Sequence, residues 1–291
     1  MEYAAFHREG QSSTSYRRIG FGFCGSVWSN SDHEVVDSTS TAIKREDGGP
    51  GRSLFNDFDI HTTLILAYKD CAPQIRSSFR IPKCHGFVPG SYSGWNTTKV
   101  LGRFPSGYTP CNILITQRIP PVSEQARQTL LDRLRNYPLH VNQMMDLELD
   151  VPGYATAIAR ALAFMHWAAK IDANDVEFVL ASAPDGDIPQ FQSKYFGGHS
   201  LWILDFDCCK RMSMDEQGVQ RGAEAFLQND PFYPLPGKDN QEDKELWGNF
   251  RAAYEKASSF ISQTDSQVSE RLPRLLMDTI ERIVQDRKLS S

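Results

Sequence analysis

Asp172, Asp175 and Glu177 fall in one short segment, and a second acidic pair, Asp205 and Asp207, follows the apolar run Leu201-Trp202-Ile203-Leu204. Carboxylates gathered in this way suit three kinds of chemistry. They can hold a divalent cation, pair with a guanidinium, or take a proton from a reacting group. An aspartate at the end of a buried strand is costly unless it is paired, metal-bound or solvated in a cleft. If Asp205 and Asp207 lie on one continuous strand they share a face; a turn after Asp205 separates them. The plain alternative for the first group is a solvated acidic turn. Opposite charge comes from Lys44, which ends the short apolar run Ala42-Ile43-Lys44, with Asp57 and Asp59 downstream as candidate partners. Gly20, Gly22 and Gly25 complete the set. They sit in Gly20-Phe21-Gly22-Phe23-Cys24-Gly25-Ser26-Val27, where the absence of Cβ atoms lets backbone approach a phosphate or other bulky anion.

The elements that must position these groups follow from local pattern. Arg18 to Trp28 reads as a strand, a glycine turn and a second strand. Thr41 to Arg45 reads as a short strand, and Glu46 to Arg52 as a mobile glycine-rich segment. Ser53 is a suitable N-cap for a helix through about Lys69. Phe79 to Val88, Val100 to Phe104 and Asn112 to Arg118 read as strands, the last ended by Pro120-Pro121. Helices are expected over Ser123 to Asn136, over Pro152 to Lys170, and through most of Val219 to Lys288. Ala183 to His199 reads as a loop and Leu201 to Phe206 as a strand. The expected fold class is α+β, in three parts: a flexible arm over residues 1–16, a β-rich part over 17–120 and a helical part over 121–291.

In this order and spacing the glycine hairpin, Lys44 and Asp205 resemble the nucleotide cradle of the two-lobed protein-kinase fold, with a small β-rich N-lobe and a larger helical C-lobe. In a kinase an Asn stands five residues after the catalytic-loop Asp. Here Asp172 matches that Asp, but Glu177 stands where the Asn belongs, and Asp207 replaces the glycine of Asp-Phe-Gly. The chain is also similar to fungal arginine-containing cyclodipeptide synthases, a family with a degenerate kinase-like fold. The residues carrying that likeness are the GFGFCGSVW loop, Asn56 to His61, Ile119-Pro120-Pro121, Ala163 to Trp167, Asp172 to Phe178, Leu201 to Asp207, Pro231 to Pro234 and Leu246 to Phe250. They span about Arg17 to Tyr254.

The resemblance implies an enzyme that takes Arg-tRNA and a second aminoacyl-tRNA and forms a cyclo-Arg-Xaa diketopiperazine in fungal secondary metabolism. It is associated with an acidic D/D/E-type motif, nearest here to Asp172, Asp175 and Glu177, with Asp239 to Asp243 a weaker match. Asp205 joins these as a catalytic candidate. Gly20, Gly22, Gly25, Lys44, Asp57 and Asp207 are candidates for substrate binding. No cofactor is implied, because each aminoacyl ester is already activated and the joining step needs no ATP; no residue is assigned to a metal. Arg17, Arg18, Arg127, Arg133 and Arg135 are candidates for contacts with the tRNA body. The alternatives are an ATP-dependent phosphotransferase and a kinase-like binding module without chemistry.

Composition narrows the field further. The chain has 291 residues, 40% of them hydrophobic and 23% charged, and a net charge of −5. That is enough for a sizeable core, and it gives no global electrostatic case for nucleic acid, DNA included, leaving only a local basic patch for such contact. The absence of a long apolar run predicts no membrane span, and the polar N-terminus lacks the apolar core of a secretory signal. A cytoplasmic location is the expectation. The six cysteines recur without C-x-x-C spacing or paired histidines, so reduced thiols are expected and a zinc site is not.

Overall fold

The computed structural model describes residues 3–30, 40–124, 126, 128, 139–184, 186–229, 234–265 and 267–290. The protein is of mixed α+β class with antiparallel sheets. Five strands, β1 (Arg17–Phe21), β2 (Ser26–Ser29), β3 (Thr41–Arg45), β4 (Cys84–Val88) and β5 (Ile113–Gln117), form one sheet in the order β1-β2-β3-β5-β4. Lys44 pairs in register with Val27 on one side and Leu114 on the other, which fixes it at the centre of the sheet.

Helix α2 (Leu54–Asp70) packs across this sheet. Ser53 caps it by accepting from the Asn56 amide at 3.3 Å, as its sequence position predicts. Its buried side includes Asp57, Ile60, His61 and Leu64. Asp57 faces the sheet and Asp59 does not, and this helical phase selects the partner of Lys44.

Two readings of the N-terminal region are corrected. The expected loose arm is a helix, α1 (Ala4–Glu9), with Phe6 fully buried against Trp95 and Tyr92. Glu9 is buried too. It accepts from Arg103 at 2.7 Å, from Tyr16 at 2.9 Å and from Thr41 at 2.7 Å. The expected strand Val100 to Phe104 is instead a single 3₁₀ turn over Leu101–Arg103 that delivers Arg103 to Glu9. The polar side chains that made this region look solvated pair with one another inside, leaving only Arg103 Nη2 of this group without a partner among the described residues.

The rest is mainly helical: α4 (Val141–Asp146), α5 (Val151–Ala163), α6 (Glu216–Gln228), α7 (Gln241–Ser262) and α8 (Arg271–Leu289), after a short α3 (Pro73–Arg76). Helix α5 continues into a π turn over Phe164–Ala168, where the sequence predicts one uninterrupted helix. The expected loop over Ala183 to His199 contains β7 (Phe191–Ser193), which pairs with β8 (Gly197–Leu204); β6 (Glu177–Ala181) lies on the other side of β8. Most of the helix expected over Ser123 to Asn136, with Arg127, Arg133 and Arg135, lies outside the described residues, as does most of Pro231 to Pro234. A large apolar cluster joins Ile60, Leu64 and Phe79 to α5, β8, α6, α7 and α8, while a separate one fills the space under the first sheet.

Candidate functional site

A cleft of about 590 Å³ opens beneath the β1–β2 hairpin. Its roof is Gly20 to Gly25. Lys44, Leu114 and Thr116 form its back, Gln117 to Val122 one side, and Glu177, Val179, Leu204 and Asp205 its floor. The hairpin turns tightly. Gly25 has φ +148°, a region that disfavours any side chain, and a Cβ there would lie 2.1 Å from the Arg45 carbonyl oxygen. Replacing Gly25 by alanine is expected to lower stability by at least about 2 kcal/mol in urea unfolding, because neither backbone segment can yield.

Lys44 reaches into the cleft and bridges two acids, Asp57 at 3.0 Å and Asp205 at 2.6 Å. Burial alone would lower the ammonium's pKa; Asp57 and Asp205 override it and push it up. The Asp57 carboxyl is raised by its burial, against the pull of Lys44. The lysine is therefore neutralised where it stands, and its charge is already shared.

The acidic residues divide into three places. Glu177 opens β6, and its side chain borders the cleft. The residue is solvent-exposed at the strand end; partial desolvation of its carboxyl against the cleft, and then the neighbouring Asp205 charge, raise it above the usual range. Asp205 has φ +63°, so the chain turns there rather than running on as a strand. The turn separates the acidic pair: Asp205 stays on Lys44, while Asp207 turns away to Arg52 at 2.8 Å. Asp172 is buried beneath the cleft. Its Oδ1 accepts from the Lys210 amide at 2.8 Å and the Asn174 amide at 3.2 Å, and it does not border the cleft. Asp175 is exposed at the rim and pairs with Arg52 at 2.9 Å. Of the four catalytic candidates, Glu177 and Asp205 meet in the cleft wall, and Asp172 and Asp175 do not. Among the substrate-binding candidates, Gly20, Gly22, Gly25, Lys44 and Asp57 border the cleft and Asp207 does not.

Three residues complete the site without having stood out in the sequence. Arg52 ends the glycine-rich segment expected to be mobile; instead Gly48 and Gly49 donate to the Cys24 and Phe23 carbonyls, and Arg52 pairs with two acids. Asn229, after α6, accepts from the Asp175 amide and donates to the Ala173 carbonyl at 2.9 Å, clamping the acidic turn. Asn56 donates to the Asp207 and Cys209 carbonyls at 2.8 and 3.0 Å and ties α2 to the Asp205–Asp207 turn. Only Asn56 had a local signal, its place one turn into a capped helix.

Residues 201–266 match the model of one family, DUF3669, whose description reads "Zinc finger protein". No curated protein matches the chain. The matched stretch does not provide a zinc centre. It contains two cysteines, Cys208 and Cys209, side by side, and no histidine, whereas a structural zinc takes four Cys or His ligands in tetrahedral array. Cys209 is buried and its thiol donates to the Asn174 carbonyl at 3.2 Å; burial pushes it well above the ordinary thiol range. Cys208 is likewise pushed up to about 11 by burial and then Asp207. Among the described residues, Asp175, Asp207 and Cys208 place possible ligand atoms within 4.8 Å of one another. The Arg52 guanidinium contacts all three.

Proposed function

We propose that the chain is a two-lobed, protein-kinase-like scaffold that joins two activated aminoacyl esters, Arg-tRNA and a second aminoacyl-tRNA, into a cyclo-Arg-Xaa diketopiperazine. One observation supports this reading most: Glu177 borders the cleft beside Asp205, solvent-exposed yet with its carboxyl raised by partial desolvation and by that neighbouring charge, at the position where a kinase carries its metal-binding Asn. A carboxylate so raised is a better proton acceptor at neutral pH than an ordinary one.

In the reaction, the α-amine nitrogen of one aminoacyl group attacks the ester carbonyl of the other. The nitrogen gives a proton to Glu177, the carbonyl–oxygen bond to the tRNA ribose breaks, and the leaving ribose oxygen takes up a proton. The free amine of the new dipeptidyl ester then attacks the carbonyl of its own remaining ester; that carbonyl–oxygen bond breaks, the second tRNA ribose oxygen leaves with the proton the amine gives up, and the ring closes. No phosphate is transferred. The cleft's charge agrees with this. Its border carries three acids, Asp57, Glu177 and Asp205, against the cations Lys44 and Arg118, and Lys44 is held between two of the acids. A border with this small acidic excess favours an amine over a bare triphosphate. Arg17 and Arg18 are exposed on β1, on the hairpin that roofs the cleft, where they can meet an RNA backbone.

Expression in a heterologous host is expected to yield an arginine diketopiperazine detectable by mass spectrometry. Glu177→Gln is expected to reduce it by about 10²- to 10⁴-fold while the protein stays folded. Absence of product both in culture extracts and from purified protein supplied with charged tRNAs would sink the proposal. The second reading, an ATP-dependent phosphotransferase, draws on the glycine hairpin and the Lys44–Asp57 pair, the bond a kinase makes between its lysine and a helix acid. It predicts thermal stabilisation by millimolar Mg-ATP.

A further inference from the structure

Glu46 to Arg52 runs from β3 to α2 against the tip of the glycine hairpin. Gly48 and Gly49 donate to the Cys24 and Phe23 carbonyls at 3.1 and 2.8 Å. The Asp47 carboxylate accepts from the Ser26 amide and hydroxyl at 2.7 to 2.9 Å. A Cβ on Gly48 would lie 2.3 Å from the Phe23 carbonyl oxygen, so the two backbones are in close contact and form one piece. At the far end of this piece the Arg52 guanidinium crosses to the other wall. It pairs with Asp207 at 2.8 Å and Asp175 at 2.9 Å, contacts the Cys208 thiol, and lies 5.6 Å from the Phe23 ring. One side chain thus ties the cleft's roof to the acidic turn beside its floor.

This tie differs from the one behind it. Lys44 and Asp57 are almost fully enclosed, with side chains 17% and 4% exposed. Arg52 and Asp175 are 25% and 55% exposed, so water and dissolved ions reach their pair. An ion pair that solvent reaches contributes little net stability and is weakened by salt. The outer tie thus has a weak half at Asp175 and an enclosed half at Asp207, whose side chain is 3% exposed.

We propose that Arg52 is a releasable latch: held by Asp175 and Asp207 it keeps the glycine hairpin closed over the cleft, and released it lets the hairpin and the 46–52 segment lift together. The latch follows from these contacts alone and holds whichever reaction the cleft performs. Cys24 reports on it, because it is buried under the hairpin and borders the cleft. Cys209 is an internal control, buried and bonded to Asn174.

The test is hydrogen exchange with peptide-resolved mass spectrometry on the full chain, with alkylation of each cysteine followed in parallel. In Arg52→Ala, amides of residues 20–25 and 46–49 are expected to exchange about tenfold faster, with β6, β8 and α5 unchanged. Cys24 labels faster and Cys209 stays protected. Arg52→Lys, which keeps the charge, retains part of the protection. Added salt speeds exchange at the hairpin in the wild type and has little effect in Arg52→Ala. Unchanged hairpin exchange in Arg52→Ala overturns the latch. So does a uniform rise throughout the chain with a lower melting temperature, which would make Arg52 a general support of the fold. If Arg52→Ala does not fold, Asp175→Asn removes the exposed partner and gives the same readings, with the same two outcomes against it.

Discussion

Replacing Lys44 by methionine lowers the stability of the folded protein by about 3–5 kcal/mol, the cost of removing one partner from a buried ion pair. The loss comes from what stays behind. Asp57 is only 3% exposed, and its carboxyl is raised by its burial even with Lys44 beside it. Without the ammonium its carboxylate has no opposite charge at 3.0 Å and takes up a proton instead. The defect is therefore smaller in mildly acidic buffer, where the carboxyl protonates readily. The double variant Lys44→Met with Asp57→Leu recovers most of the loss, since an apolar pair of similar size removes the buried charge altogether. Urea unfolding of the three proteins at neutral and mildly acidic pH checks this. A Lys44→Met protein as stable as wild type, or a double variant no better than the single one, would contradict the account. The experiment also separates structure from chemistry. Asp205 is partly exposed, so water reaches it when Lys44 is gone; the stability lost belongs to Asp57, and activity lost in the double variant belongs to the cleft.

Stability falls steeply between pH 6.5 and about 4, and two histidines cause most of the fall. His61 and His166 are each lowered to about 4, chiefly by burial. His61 bonds the Pro82 carbonyl at 2.7 Å, and His166 bonds the Tyr254 hydroxyl at 2.8 Å. Below pH 6.5 the unfolded chain binds a proton at each, and the folded protein does not until about pH 4. Their contribution is thus fully present above 6.5 and lost as pH falls. The gap between 6.5 and about 4 amounts to roughly 3 kcal/mol per histidine. Carboxyls raised in the fold act in the opposite sense. Asp57, Asp172, Glu177 and Asp207 bind protons more readily folded than unfolded, so acid relieves their burial and makes the decline shallower. A series of urea midpoints against pH measures the slope. His61→Gln and His166→Gln should each flatten it, and slopes equal to wild type in both variants would remove the histidines from the explanation.

The parts of the site that were legible in the sequence are those fixed by local geometry. Gly20, Gly22 and Gly25 announced a close turn because only glycine tolerates one. Lys44 was visible at the end of its strand, and the phase of α2 left only Asp57 and Asp59 to choose between. Burial made the choice: Asp57 faces the sheet, and Asp59 is taken by Arg211 at the surface. Arg52 was not legible, because its partners stand 123 and 155 residues away and nothing near it in sequence predicts them. Asn229 was hidden for the same reason. The first helix and the turn at Arg103 were misread because their polar residues look solvated in isolation; Glu9, Tyr16 and Arg103 make sense only as one buried group. Asp172 matched a catalytic position by spacing, and the fold gives it a different task, holding the backbone of Asn174 and Lys210.

The left-handed residues of the site have a consequence for how the protein would respond to selection. Lys170, Ala173, Asp175 and Asp205 all have φ near +60°, in a chain with only one other such non-glycine residue among those described. At Ala173 the methyl group is buried in the main apolar cluster, so glycine there would relieve about 1 kcal/mol of backbone strain and forfeit packing worth about the same. A population evolved for heat resistance alone would therefore gain nothing there and keep the alanine. Its descendants would carry the strained acidic turn unchanged, a geometry held in place by packing.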